Sequence, residues 1–499
     1  MSTTDRPNTA LLAQEAPIFV QSTPGRSGAS LPALDVPAAD EAALLPANLR
    51  RATPPLLPEV SEPEVVRHYT RLSLWNFNID KGMYPLGSCT MKYNPKLADA
   101  AAALPSFVDL HPYQPESLIQ GALGLMFELE RLLAEIGGFA RVTLQPSAGA
   151  QGELCGLMMI RAYHQDRKQP RSRILVPDSA HGTNPASCTV NGFTTVPLQT
   201  SADGVLTADE VRRAIAECGA EDVAGIMVTN PSTLGLFEIE LAAVTELVHA
   251  AGGLVYMDGA NLNALMGRYR PGDSGIDVMH YNLHKTFGTP HGGGGPGAGP
   301  VGVAEHLVPF LPVPTVERQE GGPFRLDYDR PRSIGQLRAF YGNFGVLLRA
   351  YAFIRELGGQ GLKQATDMAV LNANYLRARL QEFLHVPHPS RCMHEVVASD
   401  QDLKETGVTT MDVAKRLMDY GFHPPTVYFP LVVHGALMIE PTESETPQTL
   451  DCFVEALRAI VREAHESPDL VKTAPHTTGL GRLDEATAAR KPRLRWTPE

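Results

Sequence analysis

Apolar residues at Ile119, Leu123, Met126, Leu129, Leu133 and Ile136 recur every three or four positions, a helical period that stops at Gly137-Gly138. Short runs dense in apolar residues follow at 141–145, 173–176, 224–229 and 254–258, and read as strands. Between them the spacing returns to a helical one over 153–164, 209–218 and 241–251. Alternation of this kind predicts an α/β fold with a mainly parallel sheet. Beyond about residue 335 the texture changes. Helices are expected at 345–357 and 362–384, then at 411–420 and 449–467, with strand-like runs at 426–431 and 437–439.

Residues 1–60 are rich in Pro, Ala and Ser, and the stretch 52–63 holds four prolines, which rules out a long helix there. The expected organisation is a Pro-rich N-terminal arm (1–60), a large domain (61–335) and a smaller C-terminal α/β domain (336–499). That last domain ends in an extended basic tail with Arg482, Arg490, Lys491, Arg493 and Arg495. No internal repeat of fixed period is present.

Composition narrows the class. Of 499 residues, 43% are hydrophobic and 20% charged, values of a folded domain rather than a disordered chain. Lys and Arg number 43 against 55 Asp and Glu, and a net charge of −12 argues against a binder of nucleic-acid backbones. The six cysteines (Cys89, Cys155, Cys188, Cys218, Cys392, Cys452) have no metal-type spacing and are expected as free thiols, with no metal bound. No apolar run approaches the roughly 18 residues of a membrane span, and the first residues lack the compact apolar core of a signal peptide. A cytoplasmic protein with no membrane or nucleic-acid partner is the expectation.

In a parallel sheet, ligands bind beyond the carboxyl ends of the strands. The strand at 141–145 leads into the small-residue turn Pro146-Ser-Ala-Gly-Ala-Gln-Gly152 and then a helix, where backbone amides can approach an anion. The strand at 173–176 leads to Asp178-Ser-Ala-His-Gly-Thr-Asn184, placing His181 to stack on a planar ring or move a proton. The next delivers Thr229-Asn-Pro-Ser-Thr233, and the run at 254–258 ends in the carboxylate of Asp258. Farther on, Lys285 ends another partly apolar stretch, followed by Thr286 and the loop His291-Gly-Gly-Gly-Gly-Pro296. An amine, a carboxylate, a ring stacker and a phosphate cup form the set that pyridoxal phosphate needs. Each residue alone has a plainer reading, such as a surface lysine, a helix cap or a structural histidine; the ordered series outweighs them.

Longer motifs extend this. Asn76-Phe-Asn-Ile-Asp80, Tyr84-Pro-Leu-Gly-Ser-Cys-Thr-Met-Lys-Tyr-Asn94, Gly149-Ala-Gln-Gly-Glu153, Ser179-Ala-His-Gly-Thr-Asn-Pro185, Met257-Asp-Gly-Ala-Asn261 and Asn282-Leu-His-Lys-Thr-Phe287 occur in order. They are followed by Gly421-Phe-His-Pro-Pro-Thr-Val-Tyr-Phe-Pro430, His434-Gly-Ala-Leu-Met-Ile-Glu-Pro-Thr442 and Ala474-Pro-His-Thr-Thr478. Over residues 60–496 the sequence resembles the P-protein (glycine decarboxylase) family of the glycine cleavage system, in the form of its lysine-bearing C-terminal-half subunit. The turn reads Pro146-Ser-Ala148 where the family pattern has Asn-Ser ahead of Gly149.

The resemblance implies a fold-type-I pyridoxal-phosphate enzyme with a mainly parallel seven-stranded sheet. It implies decarboxylation of glycine, with transfer of the aminomethyl group to the lipoyl group of the H-protein. Lys285, His181 and His284 are the implied catalytic residues, His284 as a proton carrier. The implied cofactor set is Lys285, Asp258, Ala260, His181, Ser147, Gly149, Ala150, Asn184, Thr233, Asn261 and Thr286. The implied partner is a homologous N-terminal-half subunit in a heterotetramer of two of each, and Ser88, Thr90 and Lys92 are expected near the cleft. Two other readings stay open at this stage. One is a fold-type-I decarboxylase or aminotransferase acting without H-protein; the other is a non-catalytic half that completes a partner's site.

Overall fold

A computed structural model describes residues 15–291, 297–318 and 320–497 of the chain. The first 14 residues of the expected arm and residues 292–296 of the glycine-rich loop lie outside the described residues. Two compact units form, one from residues 79–474 and one from residues 1–78 with 475–499.

In the unit 79–474, seven strands make one sheet: β1 (Arg141–Thr143), β2 (Arg173–Pro177), β3 (Thr194–Leu198), β4 (Val223–Thr229), β5 (Leu254–Gly259), β6 (Val278–Tyr281) and β7 (Val301–Val303). Their spatial order is β1-β7-β6-β5-β4-β2-β3. The pairs β3/β2, β2/β4, β4/β5 and β5/β6 are parallel, whereas β7 runs against both its neighbours β6 and β1. Every residue of β4 and β5 is buried, as a parallel sheet covered on both faces requires. The two faces of β5 feed separate cores. Val255 and Met257 pack with Leu129 and Leu133 of helix Gln120–Gly137, while Leu254 and Tyr256 pack with Leu157 and Ile160 of helix Gly149–Asp166.

A two-stranded hairpin follows, β8 (Thr315–Arg318) and β9 (Phe324–Asp327). The second sheet is antiparallel, with β10 (Val396–Ser399), β11 (Thr426–Val427) and β12 (Ala436–Ile439) in the order β10-β12-β11. Helices Thr410–Asp419 and Pro447–Glu466 close its core through Leu417, Leu450, Phe453 and Leu457. Among the described residues no helix is long and apolar enough to cross a membrane.

Several sequence expectations need correction. The two helices expected at 345–357 and 362–384 are both present within Phe344–Leu380, separated at Gly358, whose φ of 59° breaks the helical path; only the end of the second differs, at Leu380 rather than 384. The strand expected over 426–431 ends at Val427, because Tyr428 has a φ of 57° and Pro430 has no N–H for a ladder. Lys285 does not end a strand; β6 stops at Tyr281 and Lys285 sits on the single turn Leu283–Thr286. The strands β3, β7 and β10 and the hairpin β8–β9 went unpredicted.

In the other unit, helix Glu62–Trp75 starts at Ser61, whose N–H donates to Glu64 Oε2 at 2.7 Å. Glu15 accepts from Arg71 Nη2 at 2.8 Å and Gln21 Nε2 at 2.9 Å, and the Arg71 guanidinium above all holds its carboxyl down to about 2. Phe19 stacks on Trp496 with ring centroids 5.1 Å apart. The basic tail carries one short helix, Glu485–Arg490, and is otherwise irregular.

Candidate active site

The carboxyl ends of β4, β5 and β6 open on one cavity of about 160 Å³. Ser88, Gly149, Ala150, Glu153, His181, Thr183, Thr229, Thr233, Asp258, Ala260, Asn261, His280, Asn282, His284 and Lys285 line it.

Asp258 stands at the tip of β5 and is buried. Its Oδ1 accepts from the Ala260 N–H at 2.9 Å and its Oδ2 from Asn184 Nδ2 at 3.2 Å, and His280 Nε2 lies 3.3 Å from Oδ1. Burial alone pushes this carboxyl up. The His280 ring, the charge of Lys285 and the two hydrogen bonds outweigh it and hold Asp258 below the usual aspartate value, so it is an anion at neutral pH. Lys285 is half-buried in the lining of the same cavity, and its charge also reaches Cys89, His284, Glu395 and Glu440.

Burial, with the charges of His291 and Lys285, pushes the His284 imidazole down to about 3, so the ring is neutral near pH 7. The Ala298 N–H points at its Nδ1 at 3.4 Å. His181 is exposed at the cavity mouth. Its Nδ1 accepts from the Thr183 N–H at 3.2 Å, and its ring meets Phe429 edge-on at 5.5 Å. The Thr183 hydroxyl in turn donates to Glu153 Oε1 at 2.7 Å.

Of the residues singled out from sequence, Lys285, Asp258, Ala260, His181, His284, Gly149, Ala150, Thr233 and Asn261 all line the cavity. Asn184 reaches it through Asp258. Ser147 and Thr286 do not line it. The Ser147 hydroxyl donates to Gln151 Oε1 at 2.7 Å and accepts from Arg338 Nη1 at 2.7 Å. The Thr286 carbonyl accepts from Lys92 Nζ at 2.8 Å.

The loop of Ser88, Thr90 and Lys92 is held from behind. The Ser88 N–H donates to Glu395 Oε2 at 2.8 Å and the Thr90 N–H to Glu440 Oε2 at 3.1 Å. These glutamates flank the Val396–Ile439 pair of the second sheet and are fully buried. Burial pushes Glu440 up to about 7 and Glu395 well above the usual carboxylate range. Lys92 is buried, so it contacts the site's supports rather than the cleft itself. Sequence reasoning missed His280, Tyr256 and Glu153; the one signal was a histidine inside the otherwise apolar run of β6.

The chemistry of the cavity fits a planar, anionic guest that takes up an amine. It presents an amine, an anionic carboxylate and the first amides of an 18-residue helix at Gly149 and Ala150. In its lining Thr229 Oγ1 and Asn261 Oδ1, and beside Asp258 Asn184 Oδ1, are buried with no hydrogen-bond partner among the described residues. Buried polar atoms are costly without partners, which suits a cavity built around a polar ligand.

Comparison with known proteins agrees with this geometry. A family model described as "Glycine cleavage system P-protein" matches residues 36–317, and one described as "Glycine dehydrogenase, C-terminal domain" matches residues 365–476. A protein of Caldanaerobacter subterraneus subsp. tengcongensis named "Probable glycine dehydrogenase (decarboxylating) subunit 2" is 56% identical over 481 residues, 96% of this chain and 98% of that one. A protein of the same name from Halalkalibacterium halodurans is 55% identical over 483 residues, 97% of this chain and 98% of that one. Among solved structures, an inhibitor-bound glycine decarboxylase (P-protein) of the glycine cleavage system is similar with a TM-score of 0.70 at 24% identity. The match covers 84% of this chain and 94% of that one. Oryza sativa TDC with PLP and tryptamine has a TM-score of 0.63 at 14% identity, over 86% and 92% of the two chains. At these identities the two structures speak to the fold alone.

Proposed function

Because the chain belongs to the glycine cleavage system P-protein family, we propose that its cavity holds pyridoxal 5'-phosphate and decarboxylates glycine, passing the remaining aminomethyl group to the lipoyl group of the H-protein. The observation that carries this reading is the convergence of Lys285 and the anionic Asp258 on one cavity.

When bound, pyridoxal phosphate supplies an aldehyde that takes up an amine and a protonated ring that accepts an electron pair. Lys285 offers the amine. Asp258, held anionic by its four neighbours, keeps a proton on the ring nitrogen. The amides of Gly149 and Ala150 suit the phosphate, with Ser147, Asn184, Ala260, Thr233, Asn261 and Thr286 completing the cofactor set. His181, exposed at the mouth of the cavity, would be the residue to stack on the ring. His284, neutral near pH 7, is able to accept a proton, and glycine, lacking a side chain, asks for no further pocket.

The chain works beside a homologous N-terminal-half subunit in a heterotetramer of two of each, and in the cytoplasm. The word "subunit" in the relatives' names supports a partner, and the absence of a membrane-crossing helix among the described residues is compatible with that location. The functional boundary falls near residue 335, between the hairpin β8–β9 and the helix that leads to the second sheet, with 61–335 as the cofactor-binding part and 336–499 as the smaller one.

Borohydride reduction of the cofactor-loaded protein, followed by peptide mapping, tests the reading. The pyridoxyl group is expected on Lys285 and lost in Lys285→Ala; finding it on Lys92 would overturn the assignment. Glycine turnover that proceeds equally without H-protein would favour an amino-acid decarboxylase of the same fold instead.

A further inference from the structure

Asp258 and His280 are register partners on adjacent parallel strands, and Tyr256 lies two residues before Asp258 on the same face of β5. The three side chains form a row. His280 Nε2 lies 3.3 Å from Asp258 Oδ1, and His280 Nδ1 lies 2.5 Å from the Tyr256 hydroxyl. All three are buried, Tyr256 completely.

The helix that covers this face is bare where the row passes beneath it. A Cβ at Gly156 would lie 2.6 Å from the Tyr256 ring, one at Gly152 2.8 Å from His280 Cβ, and one at Gly149 2.7 Å from Asn282 Oδ1 and 3.2 Å from His280 Nε2. Contacts that close exclude any side chain at these positions. Gly149-x-x-Gly152-x-x-x-Gly156 is therefore one stripe of a helix, shaped to the Tyr256–His280–Asn282 row of the sheet.

Proton accounting gives the row a direction. Burial pushes the Tyr256 phenol well above its usual range, so it keeps its proton, and His280 Nδ1 is its hydrogen-bond partner among the described residues. Asp258 Oδ1, an anionic acceptor 3.3 Å from Nε2, calls for the ring's proton on that nitrogen, and the phenol then donates to Nδ1. Asn282 Nδ2 lies 2.8 Å from Nε2, and turning that amide to present its oxygen suits the same tautomer. The charged and titratable groups around the row are Glu153 and Cys155 on the covering helix, Cys188 on helix Thr183–Val190, and His284 and Lys285 on the turn after β6.

We propose that Tyr256 and His280 are positioning residues that fix Asp258 as an anion and so keep the cofactor's ring nitrogen protonated. The inference rests on the reading that this cavity binds pyridoxal phosphate with Asp258 at that nitrogen. Without the Nε2–H, Asp258 gains proton affinity and draws the shared proton off the ring.

The test loads wild type, Tyr256→Phe and His280→Gln with pyridoxal phosphate labelled with ¹⁵N in the ring, whose chemical shift reports whether that nitrogen holds a proton. A third variant, His280→Phe, keeps a ring and has no N–H; in it the ratio of protonated to unprotonated ring nitrogen is expected to fall at least about tenfold, equivalent to one pKa unit, with a smaller fall in Tyr256→Phe and little change in His280→Gln, whose amide can still donate to Asp258. Tyr256→Phe keeps the ring packed on Gly156, so it decides the matter if His280→Phe does not fold. A wild-type ¹⁵N shift in a folded, loaded Tyr256→Phe or His280→Phe overturns the proposal. Failure of wild type to bind the cofactor, or labelling away from Lys285, instead overturns the reading on which it rests.

Discussion

Lys92 donates from Nζ to the main-chain carbonyl of Thr286, the residue beside Lys285, at 2.8 Å. The same ammonium donates to Asn263 Oδ1 at 2.6 Å, pairs with Glu443 Oε1 at 2.6 Å and lies 5.1 Å from the centre of the Phe353 ring. One buried cation thus ties the Ser88–Lys92 loop, the turn carrying Lys285 and the segment after β12. Lys92→Met fills the same space without the charge and takes the cation from two buried acceptors, the Thr286 carbonyl and Asn263 Oδ1, and from the half-buried Glu443 carboxylate. Breaking a buried pair from one side costs about 3–5 kcal/mol. Urea denaturation is expected to show a loss of that size, together with weaker retention of pyridoxal phosphate on gel filtration. Unchanged stability would show that the tie is dispensable.

Asp258→Asn tests the carboxylate itself. Asparagine keeps a carbonyl to accept from the Ala260 N–H, so the cofactor is expected to stay bound and its visible absorbance to persist. A neutral amide cannot hold the ring nitrogen protonated. Glycine decarboxylation is therefore expected to slow on the order of 10³-fold, about 4 kcal/mol. Near-normal turnover in a fully loaded variant would remove Asp258 from this role.

These two residues mark what a sequence reveals and what it hides. Asp258 is legible because β5 is a continuous apolar run that a carboxylate ends abruptly. Lys285 is legible through its motif, although its place on a turn is not, since Asn282-Leu-His-Lys285 carries no helix signal longer than one turn. His280 is hidden, because its meaning depends on the β5–β6 register, a long-range fact. Gly149 and Gly152 read as a phosphate turn, and Gly156 as one more helical position, until the strand beneath them is seen. Two strands were missed for local reasons. β3 is an edge strand with Pro197 and three threonine or proline positions among five, and β7 is three residues in a glycine-rich stretch.

Glu238 gives a pH dependence with a definite sign. It is buried, accepts from the Leu206 N–H at 2.7 Å, and burial raises its carboxyl from 4.5 to about 7. Below pH 4.5 both folded and unfolded chains hold the proton, and nothing is lost. Between 4.5 and about 7 the unfolded chain releases a proton that the folded one keeps, so stability falls as pH rises; above about 7 the loss is complete. The size is on the order of 3 kcal/mol. Glu238→Gln does not titrate. Subtracting its urea-denaturation curve from that of wild type cancels the contributions of Glu130, Glu440 and Glu445, which both proteins share. The difference should favour the variant increasingly from pH 4.5 to 7.5. Parallel stability profiles would contradict the assignment.

Assembly is the remaining expectation, and the surface supplies its physical motive. Leu97, Val108, Tyr113 and Leu118 are each 60–67% exposed along one stretch of chain. Beside them lies an apolar cavity of about 90 Å³ lined by Phe107, Leu110, Ile119, Met126, Phe340 and Phe344. Large apolar side chains exposed beside an apolar cavity suit an interface, and obligate partners bury upward of about 2,000 Å². The chain alone is expected to be inactive and to join a homologous, cofactor-free subunit in a heterotetramer, with the cavity opening at the contact where a lipoyl arm can enter. Sedimentation of the chain with and without that subunit measures the assembly. A Val108→Glu, Leu118→Glu double variant is expected to weaken association at least tenfold while Lys285 still takes the borohydride label. A stable monomer that decarboxylates glycine with lipoylated H-protein and no second subunit would refute the expectation.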